Sequence, residues 1–598
     1  MRQDRARPDH LALADSDAAL SFRLFESFGR SRFTPDVTLA CATATHPTFA
    51  ELEEQTYVER VARERGAWLA RAGSGSLHRT YAARLEAPGR IALGVDPRLA
   101  AAGAMSALVL RATPLEAAAA LGGAMAPLPS PATTVVRLLG RPPAWMTGED
   151  IAFELQRRHL LGELIADGVL EFQLMEAEGL SIAARFAIAR ECPALGALAA
   201  LFPSDDTLRR FLLAQGRESD WKALPRPKFE PRRGVELDYS DLEPLIVRPD
   251  GEVMPVRERL GTRVDSVRVG PEATHADLAR FASALARGRG EQVEITVVIG
   301  SRQVRELAIR SGTMARLGEA GVRIETGGER VRQARSGAAL ALSCYDMAAT
   351  AAGRHRTGLD ACAAAARSGA IADPRGLEVP RDPGEEDEVW FAQSIMRPAG
   401  GPAAANPAMN GKLEAGITGP MRGTVLLKLG DRVTADRILP WGARVRPARL
   451  DVVALAEFAF AGLDAGLSER AAAHGGGWIV AGLNFGAGPW REQIGWVLAH
   501  LGLRAILARS YAPELRRRLV QHGVLALQFI TAGDYQAIES GDELEMPDLP
   551  EGLEPGKPLV VRNLTSGTPY TLRHDLDTQE IEQVRVGGLL AAVAKEGA

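Results

Sequence analysis

Short β-branched runs alternate with stretches of helical period along the chain, and this alternation constrains the fold more than any other feature. The clearest case is Val293 to Thr326. VEITVVIG (Val293–Gly300) reads as a strand, SRQVRELAIRSGTMARLGEAG as a helix closed by Gly321, and VRIET as a second strand. A strand, a helix and a strand in that order predict a β-α-β unit, and therefore α/β layers rather than a sandwich or a helical bundle. No internal repeat of fixed period is present.

A chain of 598 residues predicts about three to five domains, each able to bury a core. An apolar content of 46% excludes disorder as the main state. Lys and Arg total 71 against 75 Asp and Glu, a formal charge of −4. That balance gives no reason to expect a nucleic-acid partner or an anionic membrane surface. The charge-free stretch Leu99–Leu110 is too short to cross a bilayer, and Ala117–Val136 is broken by Pro127, Pro129 and Pro131. The basic start MRQDRARPDH is not followed by an apolar signal core, so a cytoplasmic location is expected. Cys41, Cys192, Cys344 and Cys362 lie far apart with no Cys-x-x-Cys pair, against a disulfide framework or a zinc knuckle.

The clearest linker is Asp373–Met409, where proline, glycine and charge combine. Beyond it, GTVLLKLGDRVTADRILPWG is strand-rich. An apolar strand at Trp478–Gly482 then runs through a glycine-rich turn into a helix starting near Pro489. Backbone amides at such a helix start favour anions, and Arg491 in its first turn adds charge.

Several segments carry a likeness over nearly the whole chain: GSGSLHRTYAARLEAPGRIALGVDPRLAAAGAM, LSIAARFAIARECPALGALAALFPSDDTLRRFLLAQGRESDW, DLEPLIVRPDGEVMPVRE, GDRVTADRILPWG and GLNFGAGPWREQ. In order and content they resemble the aconitase superfamily, especially the short bacterial aconitate hydratases. The resemblance implies an α/β, aconitase-like fold of three α/β domains, a linker and a C-terminal swivel domain closing over a cleft. The boundaries drawn are 1–128, 129–235, 236–372, 373–412 for the linker and 413–598.

That family dehydrates its substrate on a 4Fe–4S cluster held by three cysteines, with a serine as base and arginines clamping carboxylates. Matched onto this chain, the cysteine positions carry Glu272, Thr326 and Glu329, and the serine pair reads Pro489–Trp490. A first-domain Asp-His pair aligns with Cys41 and Ala42, with His46 close by, and a carboxylate-clamp arginine position carries Asp346. The resemblance therefore implies loss of the cluster and of aconitase activity. No cofactor is expected; a divalent metal at Glu272 and Glu329, with His275, is the alternative.

The matched positions that keep their residue are His78, Asp96, Arg446 and Arg491, while Arg98 and Arg190 add positive charge. Placed as in the family, they suit a polycarboxylate or other small anion. His78 and Asp96 are expected to be the acid–base pair, with Arg98, Arg190, Arg446 and Arg491 binding substrate. The reactions expected are non-hydratase lyase or isomerase steps, the alternative being a non-catalytic protein that binds a carboxylate metabolite or a protein partner. Two bland readings stay open: Arg190 ion-paired with Glu272 or Glu329, and Cys41 an inert buried thiol rather than a nucleophile. A monomer is expected.

Overall fold

The computed structural model describes residues 5–43, 47–128, 133–164, 168–175, 180–225, 233–290, 292–326, 340–346, 348–377, 395–396, 415–442, 444–488 and 491–596. Four sheets carry the architecture: three open sheets follow one another in sequence, and a closed barrel ends the chain.

The first sheet is parallel through Trp68–Ala70, Val37–Cys41, His10–Ala14, Ile91–Gly94 and Leu108–Arg111, in that spatial order. Its strands are almost wholly buried, as expected of a sheet covered on both faces by its crossover helices. Ile395–Met396, inside the stretch read as a linker, adds an antiparallel strand beside Leu69–Ala70. Most of the rest of that stretch lies outside the described residues.

The second sheet is parallel and four-stranded: Ala199–Leu201, Val169–Leu174, Thr133–Leu139 and Arg233–Asp238. The last strand runs past the boundary drawn at 235. A short helical turn of the first layer, Pro97–Met105, docks against it: Gly103 accepts from the Phe202 amide at 3.0 Å. Ser106 Oγ donates to the Phe202 carbonyl at 2.8 Å.

The third sheet has seven strands, with Val264–Val269, Glu294–Ile299, Arg323–Thr326, Leu340–Cys344 and His355–Thr357 parallel, and a hairpin, Leu245–Val247 with Val253–Pro255, on one edge. The β-α-β unit expected at Val293–Thr326 is here, but its single helix is two, Arg302–Arg310 and Thr313–Glu319. Gly312 breaks it by taking a left-handed conformation at φ +74°.

The chain divides into two compact units. One is Met1–Ser16, Pro35–Arg111 and Met125–Ala399; the other is Asp17–Thr34, Ala112–Ala124 and Gly400–Ala598. The second unit is built on the closed barrel Met421–Lys428, Gly477–Ala481, Leu503–Ala508, Leu525–Phe529, Pro569–Arg573, Leu559–Asn563 and Glu543–Met546. Two pieces of what reads as the first domain belong to it. Glu116, from the capped start of helix Pro114–Leu121, accepts from Arg517 at 2.7 Å and Gln521 at 2.9 Å. Arg23 donates to the Leu450 carbonyl at 3.1 Å. No helix among the described residues is long and apolar enough to cross a membrane.

Candidate functional site

Parallel sheets present ligand-binding loops beyond the carboxyl ends of their strands. His78 lies there in the first unit, in the first turn of helix Leu77–Arg84 that follows strand Trp68–Ala70. It is 1% exposed. Its Nε2 is 2.9 Å from Glu272 Oε2, with Ser76 Oγ further off at 3.5 Å. Its Nδ1 is buried with no hydrogen-bond partner among the described residues.

Glu272 sits between the end of strand Val264–Val269 and helix His275–Leu285, whose Thr274–Asp277 capping box fixes the helix start. Its loop is held from both sides. Arg79 donates to the Glu272 carbonyl at 2.8 Å and the Ala273 carbonyl at 3.3 Å, and the Glu272 amide donates to Tyr345 O at 3.3 Å.

Behind this pair lies a buried ion network. Arg190, at the end of helix Ile182–Glu191, reaches Glu272 at 3.7 Å and Glu149 and Glu191 at 3.3 Å each. Arg356, on strand His355–Thr357, reaches Glu191 at 2.7 Å and Glu149 at 3.3 Å. Glu149, in the first turn of helix Gly148–Leu160, also accepts from the Tyr345 amide at 2.7 Å. So Arg190 is ion-paired with Glu272, as one of its two readings had it, and two further carboxylates share it. Buried charges survive only when paired in this way.

The three carboxyls titrate differently because their neighbours differ. Burial pushes Glu191 up, but Arg356 and Arg190 outweigh it and bring it down to about 2. Burial likewise opposes ionisation of Glu272, yet His78, then Arg190 and Arg79, hold it well below the usual carboxylate range. For Glu149 burial wins over Arg356 and Arg190, and its carboxyl is raised.

The expected pairing of His78 with Asp96 is corrected. Asp96 caps its own helical turn by accepting from the Arg98 amide at 2.9 Å. It also takes the Arg98 guanidinium, with Nε at 3.0 and 3.1 Å and Nη2 at 2.9 Å. An N-cap carboxylate facing an arginine two residues on is satisfied locally, which leaves His78 to Glu272.

Asp346 is bound by Arg268 Nε at 2.9 Å. Cys41 ends strand Val37–Cys41, with Sγ 3.8 Å from the Gly75 carbonyl. Burial, then the carboxylates of Asp15 and Asp96, push its thiol far up, which is the opposite of nucleophile activation. Arg446 is exposed in the turn Arg446–Ala448, and Arg491 opens helix Arg491–His500 with its side chain outside the description. Thr326 is exposed at its strand end, and His46 and Glu329 lie outside the described residues. His275 Nε2 is 2.8 Å from Ser311 Oγ. Glu149 and Arg356 were not singled out from sequence. Neither carried a signal in the sequence, since Glu149 stands beside Asp150 and Arg356 follows Arg354 and His355, and only folding brings them together.

These residues do not fit a cluster held by three thiolates. The four cysteines are buried on separate elements: a strand of the first sheet, the turn after helix Ile182–Glu191, strand Leu340–Cys344 and helix Leu359–Ser368. Glu272 offers a hard oxygen already engaged by His78 and by the Arg190 guanidinium.

Residues 27–251 match the aconitase family (aconitate hydratase), and residues 465–532 match the aconitase C-terminal domain. A putative mitochondrial aconitate hydratase of Aspergillus fumigatus is 24% identical over 99% of this chain and 87% of its own. A 3-isopropylmalate dehydratase large subunit of Archaeoglobus fulgidus is 29% identical over 53% of this chain and 78% of its own. Thermococcus kodakaraensis aconitase X aligns with a TM-score of 0.35 at 15% identity, covering 55% of this chain and 80% of that one. With both family regions present in their order and a likeness running nearly end to end, the chain belongs to the aconitase superfamily.

Proposed function

We propose that this chain is a lyase or isomerase of small carboxylate acids that works without an iron–sulfur cluster. Its reaction is one that needs no Lewis acid on a leaving hydroxyl: decarboxylation, cyclisation or double-bond migration. The observation that carries this reading is the state of Glu272. At the position the family gives to a cluster cysteine stands a carboxylate closed in by His78 at 2.9 Å and Arg190 at 3.7 Å. Cluster assembly needs soft thiolates, and no carboxylate tied up in ion pairs replaces one. The enzyme reading is supported by relatives named as hydratases and dehydratases. It is supported also by a histidine beside a carboxylate with one ring nitrogen unpaired. Arg446 and Arg491 are the arginines matched to the family's carboxylate-binding positions.

The competing reading is a non-catalytic, carboxylate-binding protein. Pairing of Arg190 and Arg98 with the chain's own carboxylates favours it, since the Arg190 Nη groups and the Arg98 guanidinium are already taken up within the chain.

Di- and tricarboxylic acids screened by thermal shift, with turnover of each bound acid followed by proton NMR, separate the two. The enzyme reading expects at least one acid both bound and converted, and no isocitrate from cis-aconitate. Binding of acids with no conversion of any leaves the non-catalytic reading. About four irons with matching sulfide per chain after anaerobic reconstitution, or cis-aconitate hydration at an enzymatic rate, would overturn the cluster-free reading.

A further inference from the structure

We infer that Glu272 is the positioning residue of His78: its carboxylate holds the proton on Nε2 and leaves the Nδ1 lone pair as the proton acceptor of the site. The inference rests on the cluster-free lyase or isomerase reading for its use, though not for its test.

Three observations converge on it. The Nε2–Oε2 contact is short, at 2.9 Å, and both side chains are buried, so the carboxylate acts across a medium of low dielectric. Glu272 cannot easily swing away. Its backbone is gripped by Arg79 and by the Tyr345 carbonyl, and its carboxylate also faces Arg190. Asp96, the other carboxylate matched to a family site position near His78, is committed to Arg98.

The remaining ring nitrogen supplies the functional argument. A buried polar atom without a partner costs roughly 1–3 kcal/mol, and a water, an ion, a ligand or a reaction can account for it. His78 Nδ1 is one. Arg190 Nε, in the same ion network, is a second, and it is a donor suited to a carboxylate oxygen.

The proton step balances within the chain. The Nδ1 lone pair takes a proton from a substrate carbon or hydroxyl. The resulting imidazolium keeps its Nε2–H on Glu272, which stays ionised, and the proton returns from Nδ1 to the product. Nothing is oxidised or reduced. A carboxylate behind an imidazole stabilises this charged intermediate and fixes the tautomer. Glu272 thereby turns a position given to a metal ligand in the family into one that orients a base.

The test is selective 15N-histidine labelling of the full chain at about pH 8, with the His78 resonances assigned by their loss in His78→Gln. The wild-type protein should show a protonated Nε2 and an unprotonated Nδ1. Glu272→Gln offers an amide that donates as well as accepts, so the fixed preference should be lost. Glu272→Asp should restore the wild-type pattern in part. Should a carboxylate substrate be found, Glu272→Gln should lower kcat by at least about 100-fold, the lower end for a positioned base, with KM changed by less than about fivefold. A wild-type His78 protonated on Nδ1, or doubly protonated with no lone pair at all, overturns the inference, and that spectrum requires no variant to fold. An unaltered tautomer in folded Glu272→Gln overturns it as well. The expected tautomers with no acid ever turned over would count against the enzymatic reading while leaving the Glu272–His78 arrangement in place.

Discussion

Glu86 and Glu191 are the same side chain placed among different neighbours. Glu191 has two guanidiniums against it and is held down to about 2 despite burial. Glu86 is fully buried, and burial raises it to about 7; its hydrogen bonds from Tyr81 and from the Ala87 amide, and the charge of Arg217, offset only part of that. The consequence for stability has a definite sign. Folded Glu86 keeps its proton above the pH at which the unfolded chain, near 4.5, gives it up. Its contribution is therefore whole below about pH 4.5 and is lost as pH rises towards 7. Glu86→Gln should remove that decline. Relative to wild type, its Tm should rise progressively between those two pH values, the gap reaching on the order of 3 kcal/mol at about 1.4 kcal/mol per pH unit. A pH series of thermal melts checks this, and parallel curves for the two proteins would contradict it. At this scale the sequence offered an ion pair between Arg190 and Glu272 as one reading, and the two meet. It paired His78 with the wrong carboxylate, because whether an aspartate serves its own helix cap is decided by local geometry that residue identity does not record.

Two glycines in short helical elements show what a Cβ costs for different reasons. Gly312 separates helices Arg302–Arg310 and Thr313–Glu319 at φ +74°, with open space around it. Gly312→Ala should cost about 1 kcal/mol, from backbone strain alone. Gly103, in the turn Pro97–Met105, has no such strain. A Cβ there would stand 1.6 Å from the Ala200 carbonyl oxygen, so the turn could no longer lie against strand Ala199–Leu201. Gly103→Ala should destabilise by more than about 3 kcal/mol, since backbone rather than a movable side chain must yield. Urea unfolding of both variants compares them directly, and equal losses would contradict the assignment. The strand–helix–strand rhythm was readable from periodicity. The split at Gly312 was not, because Ser311 and Gly312 interrupt an apolar spacing that carries on across them.

For the whole molecule, the second unit draws on the sequence twice before the barrel begins, through Asp17–Thr34 and Ala112–Ala124. A fragment of residues 400–598 would lack Glu116, the shared acceptor of Arg517 and Gln521. It would lack helix Pro114–Leu121 too, which packs on helix Leu589–Glu596. Expressed alone, the fragment should melt at least about 10 °C below a version in which 17–34 and 112–124 are supplied as a linked segment, given 2–4 °C per kcal/mol for a domain of this size. Equal melting temperatures would show that those pieces are dispensable to the unit.

By itself the sequence determined the layer type, because apolar period is a property of consecutive residues, and its motifs in their order carried the likeness to the family. Tertiary structure decided which charges meet. Glu149, Glu272, Arg356 and the helix neighbours Arg190 and Glu191 come from four segments of two sheets and their connections, and the pairs between segments form only when those segments pack. Ion pairing and burial depend on distances between residues far apart in the chain. The partner of His78, and with it the direction of its free nitrogen, therefore belongs to the fold rather than to the order of residues.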